Sequence, residues 1–219
     1  MGDKKLVVGL LAHVDAGKTT LAEQILYRSG MIRRLGRVDH RDAFLDTDRQ
    51  ERERGITIFS KQASFTWKDL EVTLLDTPGH VDFAAEMERT LQVLDYAVLI
   101  IRGADGVQGH TLTLWRLLER YQVPVFLFIN KMDQPGTEAD ALLAELRKSL
   151  DERCVSFMRQ NGDEAAFYEN IAVCDEELLE RYLYLEEVQD HPGGRKNQPP
   201  ISAEEIGKLT AGRKLFPCF

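Results

Sequence analysis

Short apolar runs alternate with amphipathic stretches through the first 150 residues. This is the pattern of a parallel sheet covered by helices, in which strands buried on both faces read as continuous apolar segments. Residues 6–11 predict the first strand. Residues 18–28 place Leu21, Ile25 and Leu26 on one side of a helix, and Ser29-Gly30 predicts its end. Residues 30–54 are charged and lack a steady period, which predicts a long loop of the kind that is usually functional or disordered. Residues 63–67 and 72–75, joined by Lys68, Asp69, Leu70 and Glu71, predict a hairpin. Within 82–94, Phe83, Met87, Leu91 and Leu94 recur at helical spacing. Residues 97–101 and 123–129 predict buried strands, with a helix over 111–121 between them. Thr137, with Asp140 three residues on, predicts the capped start of a helix reaching 150.

Beyond residue 150 the pattern loses its regularity. Residues 151–200 are acidic and end in the breakers His191-Pro192-Gly193-Gly194 and Pro199-Pro200. A helix is predicted over 176–188. Ser202 and Glu205 predict a capping box for a last short helix closed by Gly212. Leu215 to Phe219 then reads as the opening of another strand. No internal repeat or low-complexity tract interrupts the chain.

Composition narrows this picture. The 219 residues suffice for one domain with a sizeable core, and 43% hydrophobic with 29% charged residues is ordinary for a globular chain. No apolar run approaches the roughly 18 to 20 residues that span a bilayer, so no membrane is expected as a partner. The first apolar run meets His13 and Asp15 too soon for a secretory leader. Cys154, Cys174 and Cys218 are odd in number and lack paired metal-ligand spacing, which fits a reducing cytoplasm. A net charge of −8 argues against indiscriminate binding to nucleic-acid phosphates, and DNA is not expected as a partner.

Three segments carry candidate chemistry. Ala12-His13-Val14-Asp15-Ala16-Gly17-Lys18-Thr19 matches G-x-x-x-x-G-K-[ST] with Ala12 at the first glycine position, between a predicted strand and a predicted helix. Backbone N–H groups in such a loop, with a helix N-terminus behind them, form a pocket for phosphate oxygens. Gly17 permits close backbone approach, Lys18 offers a charge to the β- and γ-phosphates, and Thr19 offers a hydroxyl to magnesium. Thr20 either reaches the α-phosphate or caps the helix. Asp15 is unusual there, since a carboxylate beside polyphosphate needs a cation or a loop N–H.

The second segment, Asp76-Thr77-Pro78-Gly79-His80, follows a predicted strand, and ligands of open α/β sheets bind at the C-terminal ends of strands. Asp76 there can hold magnesium through water, Gly79 can offer its N–H to the γ-phosphate, and His80 can face an attacking water. Alone, the Pro78-Gly79 pair would suit a plain turn; the phosphate loop upstream favours the functional reading. Thr57 in Arg54-Gly55-Ile56-Thr57 closes the long charged loop and could ligate magnesium only when the γ-phosphate is present. The third segment, Asn130-Lys131-Met132-Asp133, follows the strand ending at 129. A carboxylate at Asp133 can accept from guanine N1–H and the N2 amine, whereas adenine would leave it unpaired. Lys131 can lie over the purine, and Asn130 can brace the loop.

Together, Ala12 to Thr20, Arg54 to Thr57, Asp76 to His80 and Asn130 to Asp133 resemble the translational GTPases, elongation factor G and its relatives among them. Phe128 to Gln134 and Phe65-Thr66-Trp67 lean toward the tetracycline-resistance ribosomal protection proteins, while Gln50 to Thr57 is shared with elongation factor G. The resemblance implies a Ras-like P-loop domain: α/β, with a mostly parallel six-stranded sheet, one antiparallel strand, and flanking helices. It implies that residues 1–219 form one GTP-binding domain, with 138–212 an irregular helical elaboration before an incomplete last strand. It implies GTP and GDP as substrate and product, Mg²⁺ held by Thr19, Thr57 and Asp76, and a monovalent cation at Asp15. Lys18 and His80 carry catalysis by this resemblance, His80 being oriented by ribosomal RNA; His13 receives no catalytic role. The ribosome is the implied partner, turnover is slow without it, and the chain is expected to be monomeric. The family's further guanine-reading segment, a Gly-Ser-Ala-like loop, would follow Phe219, so the sequence reads as an N-terminal portion of a longer chain. Elongation factor G-like translocation, and nucleotide binding without turnover, stand as alternatives.

Overall fold

The computed structural model describes residues 4–34, 61–77, 84–158, 164–189 and 199–219, with backbone alone for 84–86 and 186–189. Strands β1 (Lys4–Ala12), β2 (Lys61–Trp67), β3 (Leu70–Asp76), β4 (Tyr96–Arg102), β5 (Val125–Asn130), β6 (Cys154–Ser156) and β7 (Phe216–Cys218) form one sheet in the order β2-β3-β1-β4-β5-β7-β6. Among the described residues, only the pairing of β2 with β3 is antiparallel; every other pairing is parallel. The helices are α1 (Lys18–Arg28), α2 (Ala84–Leu91), α3 (Gly109–Arg120), α4 (Ala139–Ser149), α5 (Glu164–Ala172), α6 (Glu176–Gln189) and α7 (Ala203–Ala211).

Side-chain alternation along the central strands explains the two-sided burial. From β1, Leu10 and Ala12 enter a core with Ala22 and Leu26 of α1, while Leu11 enters the opposite core with Met87 and Leu91 of α2 and Leu114, Trp115 and Leu118 of α3. From β4, Ala97, Leu99 and Ile101 join the second core and Ile100 the first. A third cluster, built on Phe167, Tyr168, Ile171, Leu178, Tyr182 and Leu209, joins α5, α6 and α7 to Val155 of β6.

Six strands are expected, and among the described residues the sheet has seven. The additional strand, Cys154–Ser156, and helix Glu164–Ala172 both arise in the stretch that reads as irregular. A three-residue strand is too short to show a period of two, and β6 is recognisable through its partner: Phe216 N–H donates to Arg153 O at 3.1 Å and Phe157 N–H to Cys218 O at 2.8 Å. The last strand is equally short, yet Phe219 exchanges backbone bonds with Leu127 (2.9 Å) and Ile129 (2.7 Å), so it is held on both sides. Trp115 packs against Phe216 edge-on at 4.8 Å, and Arg213 lies 5.4 Å from the Trp115 ring and 5.2 Å from the Phe216 ring.

Two further expectations change in detail. The hairpin turn is Lys68-Asp69 alone, with Lys68 at φ 56°. Thr137 is not a helix cap: α4 begins after Glu138, and the Thr137 hydroxyl turns back within 2.8 Å of both Met132 O and Gln134 O. The predicted box at α7 is present, with Glu205 N–H donating to Ser202 Oγ (3.3 Å) and Ser202 N–H to Glu205 Oε2 (2.8 Å). Among the described residues, no helix is long and apolar enough to cross a membrane.

Candidate functional site

The site is built where β1, β3 and β5 end, at the C-terminal end of the parallel strands. Beyond Ala12 the chain turns through His13 to Gly17 before α1 begins. Ala16 N–H closes the turn on His13 O at 3.2 Å. Asp15 (φ 63°) and Gly17 (φ 94°) both take left-handed backbone. At Gly17 glycine is required twice over: its φ disfavours a side chain, and a Cβ would lie 2.3 Å from Asn130 Nδ2.

Lys18 opens α1 and is buried, as is Asp76 at the end of β3; the Lys18 ammonium donates to the Asp76 carboxylate. The phosphate-loop lysine and the strand-end aspartate, 58 residues apart, therefore meet. Thr77 anchors the chain that leaves β3, its hydroxyl donating to Leu10 O at 2.7 Å. Thr19 is half-buried and Thr20 exposed on the first turn of α1. The hydroxyl of Thr19 and the carboxylate of Asp76 are hard oxygen donors, the set that suits magnesium.

The third segment closes on the first. Asn130 Nδ2 donates to Ala16 O at 2.8 Å, and Lys131 Nζ to Asp15 O at 2.9 Å. Lys131 takes φ 60°, and Gln134 N–H donates to Lys131 O at 3.3 Å, which makes 131–134 a tight turn. Met132 is half-buried within it, and Asp133 is exposed at its tip. Ala12 and Ala16 are buried, Val14 half-buried, and Asp15 exposed. His13 Nδ1 is buried without a hydrogen-bond partner among the described residues, and its ring faces His110 of α3 at 5.8 Å.

The structure thus brings Lys18, Asp76, Asn130 and Lys131 together with the loop from Ala12 to Thr20. Thr57, Gly79 and His80 lie outside the described residues. The sequence gives no role to Thr77, whose hydroxyl fixes the β3 exit, or to Arg102 and Gly103, and it marks Thr137 as a helix cap; Arg102, Gly103 and Thr137 surround the 131–134 turn. The signal for Thr77, Arg102 and Gly103 is tertiary: each matters through a contact made across the chain.

The family model for the elongation factor Tu GTP binding domain matches residues 3–204. The chain is 51% identical over 144 residues to a mitochondrial ribosome-releasing factor 2 of Danio rerio, covering 66% of this chain and 18% of that one. It is 40% identical to the tetracycline resistance protein TetO of Campylobacter jejuni (82% and 30% covered) and 39% identical to elongation factor G 2 of Syntrophomonas wolfei (95% and 29%). Across the relatives compared, the chain spans 18% to 34% of their length. A crystal structure of a Thermus thermophilus protein superposes with a TM-score of 0.80 at 24% identity, over 99% of this chain and 37% of the other, and shares the fold.

Proposed function

The chain belongs to the family of the elongation factor Tu GTP binding domain, and we propose that it binds GTP with magnesium and hydrolyses it to GDP and phosphate as part of a translation factor working on the ribosome. The observation that carries this reading is the convergence of three distant segments: Lys18 on Asp76, and Asn130 on Ala16. The reading takes residues 1–219 as one nucleotide-binding domain, with 138–212 as an elaboration of it, acting as a monomer in the cytoplasm.

Lys18 holds the β- and γ-phosphate oxygens, and the N–H groups of residues 13–18 complete the cradle. To do so Lys18 exchanges its contact with Asp76 for phosphate, which frees the Asp76 carboxylate for the metal side. Thr19, Asp76 and Thr57 would hold magnesium, which would supply neutralisation of phosphate charge. Asp15 suits a monovalent cation beside the loop. Asp133 reads the guanine edge, Lys131 lies over the purine, and Asn130 ties their turn to the phosphate loop. His80 positions the attacking water, and Gly79 meets the γ-phosphate. Catalysis rests on positioning and charge rather than on a covalent step, so turnover is slow until the ribosome completes the site.

The identities to ribosome-releasing, tetracycline-resistance and elongation factor G proteins support a ribosomal task, and the lean of 128–134 favours the ribosomal protection type; elongation factor G-like translocation is the alternative. Single-turnover GTP hydrolysis, with and without 70S ribosomes, tests the proposal: stimulation of the full-length protein is expected. Unstimulated hydrolysis would remove the ribosomal half. GDP binding with no hydrolysis under either condition would favour a nucleotide-binding module without turnover.

A further inference from the structure

Resting on the assignment of 130–133 as the base-reading segment, we infer that Arg102 and Gln134 form a clamp that orients Asp133 and thereby sets guanine selectivity. Arg102 is the last residue of β4 and lies in register with Asn130 of β5. Its Nε and Nη2 both donate to Gln134 Oε1, at 3.2 and 2.9 Å, and its Nη1 donates to Asp105 Oδ2 at 3.3 Å. The guanidinium therefore bridges the loop after β4 and the residue next to Asp133.

The surrounding contacts direct the effect of this bridge onto the turn. Gly103 N–H donates to Asn130 O at 2.8 Å. A Cβ at Gly103 would stand 2.5 Å from Met132 Sδ, so the two loops touch. On the helix side, the Thr137 hydroxyl lies within 2.8 Å of Met132 O and Gln134 O. Lys131 and Asn130 hold the beginning of the turn to the phosphate loop. Arg102 holds its end.

A carboxylate selects guanine only if both of its oxygens meet N1–H and the N2 amine together. Asp133 is exposed at the tip of a turn that starts in left-handed backbone, and rotation of that tip would spoil both bonds. Two N–H groups of one planar fork on a single acceptor are more directional than a point charge. Arg102 and Gln134 act here as positioning residues, since neither needs to touch the base. The competing interpretation is a surface contact of no functional weight, as many exposed polar pairs are.

A calorimetric double-mutant cycle separates the two. Dissociation constants for GDP and for inosine diphosphate, which lacks the N2 amine, are measured on the protein, on Arg102→Ala, on Gln134→Ala and on the double variant, with Asp133→Asn as control. The clamp predicts GDP binding weaker by about tenfold, or 1.4 kcal/mol, in either single variant. Inosine diphosphate should weaken much less, so the preference for GDP contracts. The double variant should be no worse than either single one. Gln134→Ala alone suffices should Arg102→Ala fail to fold. Equal weakening of both nucleotides, an unchanged preference, or additive single effects would overturn the clamp. An Asp133→Asn control that keeps the wild-type preference would instead remove the base-reading assignment, and the clamp with it.

Discussion

The side-chain amide of Asn130 donates to the carbonyl of Ala16 at 2.8 Å, joining residues 114 positions apart. The bond crosses from the end of β5 to the loop before α1, and it requires the space that Gly17 leaves by lacking a side chain. One contact thus fixes the separation between the loop assigned to the phosphates and the turn assigned to the base.

Gly17→Ala attacks that contact from the other side. The new methyl would displace the Asn130 amide and would sit on a backbone with φ 94°, a strain of about 1–3 kcal/mol. The expected result is a lower melting temperature and at least about tenfold weaker GDP binding. Asn130→Ala should weaken GDP binding in the same direction with a smaller stability loss. Differential scanning fluorimetry and GDP titration read both effects.

Lys18 and Asp76 are 8% and 0% exposed. Removing one partner of a buried ion pair leaves an uncompensated charge, which costs about 3–5 kcal/mol, whereas replacing both by apolar residues is often close to neutral. Asp76→Leu alone should therefore lower the urea midpoint sharply. Lys18→Met together with Asp76→Leu should recover most of that loss and still fail to bind GDP. Recovery of stability without recovery of binding would separate the fold from the site.

Glu205 gives the acid limb of stability a specific origin. Its carboxyl is held down at about 2 chiefly by the hydrogen bond from the Arg181 guanidinium at 2.5 Å, and also by the N–H of Ser202. Because the folded value lies below the ordinary 4.5, this stabilisation is complete above pH 4.5 and is lost as pH falls from there toward 2. The groups are largely solvated, so the contribution is about 1 kcal/mol. Glu205→Gln should lower stability at pH 7, and melts at pH 7, 4 and 3 should then show a shallower acid slope than the unaltered chain.

The thiols should be slow to react. Burial pushes Cys174 up to about 11; Cys154 is also raised, by its hydrogen bond with Cys218 and then by burial. Since the thiolate is the reactive form, native protein at pH 8 should release little thionitrobenzoate from Ellman's reagent over minutes, and denatured protein should react at all three cysteines. Rapid native labelling at Cys154 would contradict the packing of β6 against β7.

How much of this was legible in the sequence follows from the length of each element and the kind of contact that holds it. β1, β4 and β5 are long enough for their apolar runs to declare them, and α1 and α3 repeat apolar residues often enough to show a face. β7 shows in the sequence only as an opening at Leu215 to Phe219, and β6, at three residues, exists through pairing that no local pattern records. Thr137 satisfies the local rule for a helix cap, but tertiary contacts claim its hydroxyl for Met132 O and Gln134 O. Lys18, Asp76 and Asn130 were visible because their spacing after strands is itself the signal. Arg102 was not, since its partner Gln134 lies 32 residues away and neither residue type is uncommon at a surface.

Calorimetric titration of the protein and of Asp133→Asn with GDP and with xanthosine diphosphate, in magnesium, tests the central claim most directly. The account predicts that the unaltered chain prefers GDP and that the variant's preference shifts toward the xanthine nucleotide, whose C2 oxygen accepts a bond where guanine donates one. A guanine preference that survives the substitution unchanged would contradict it.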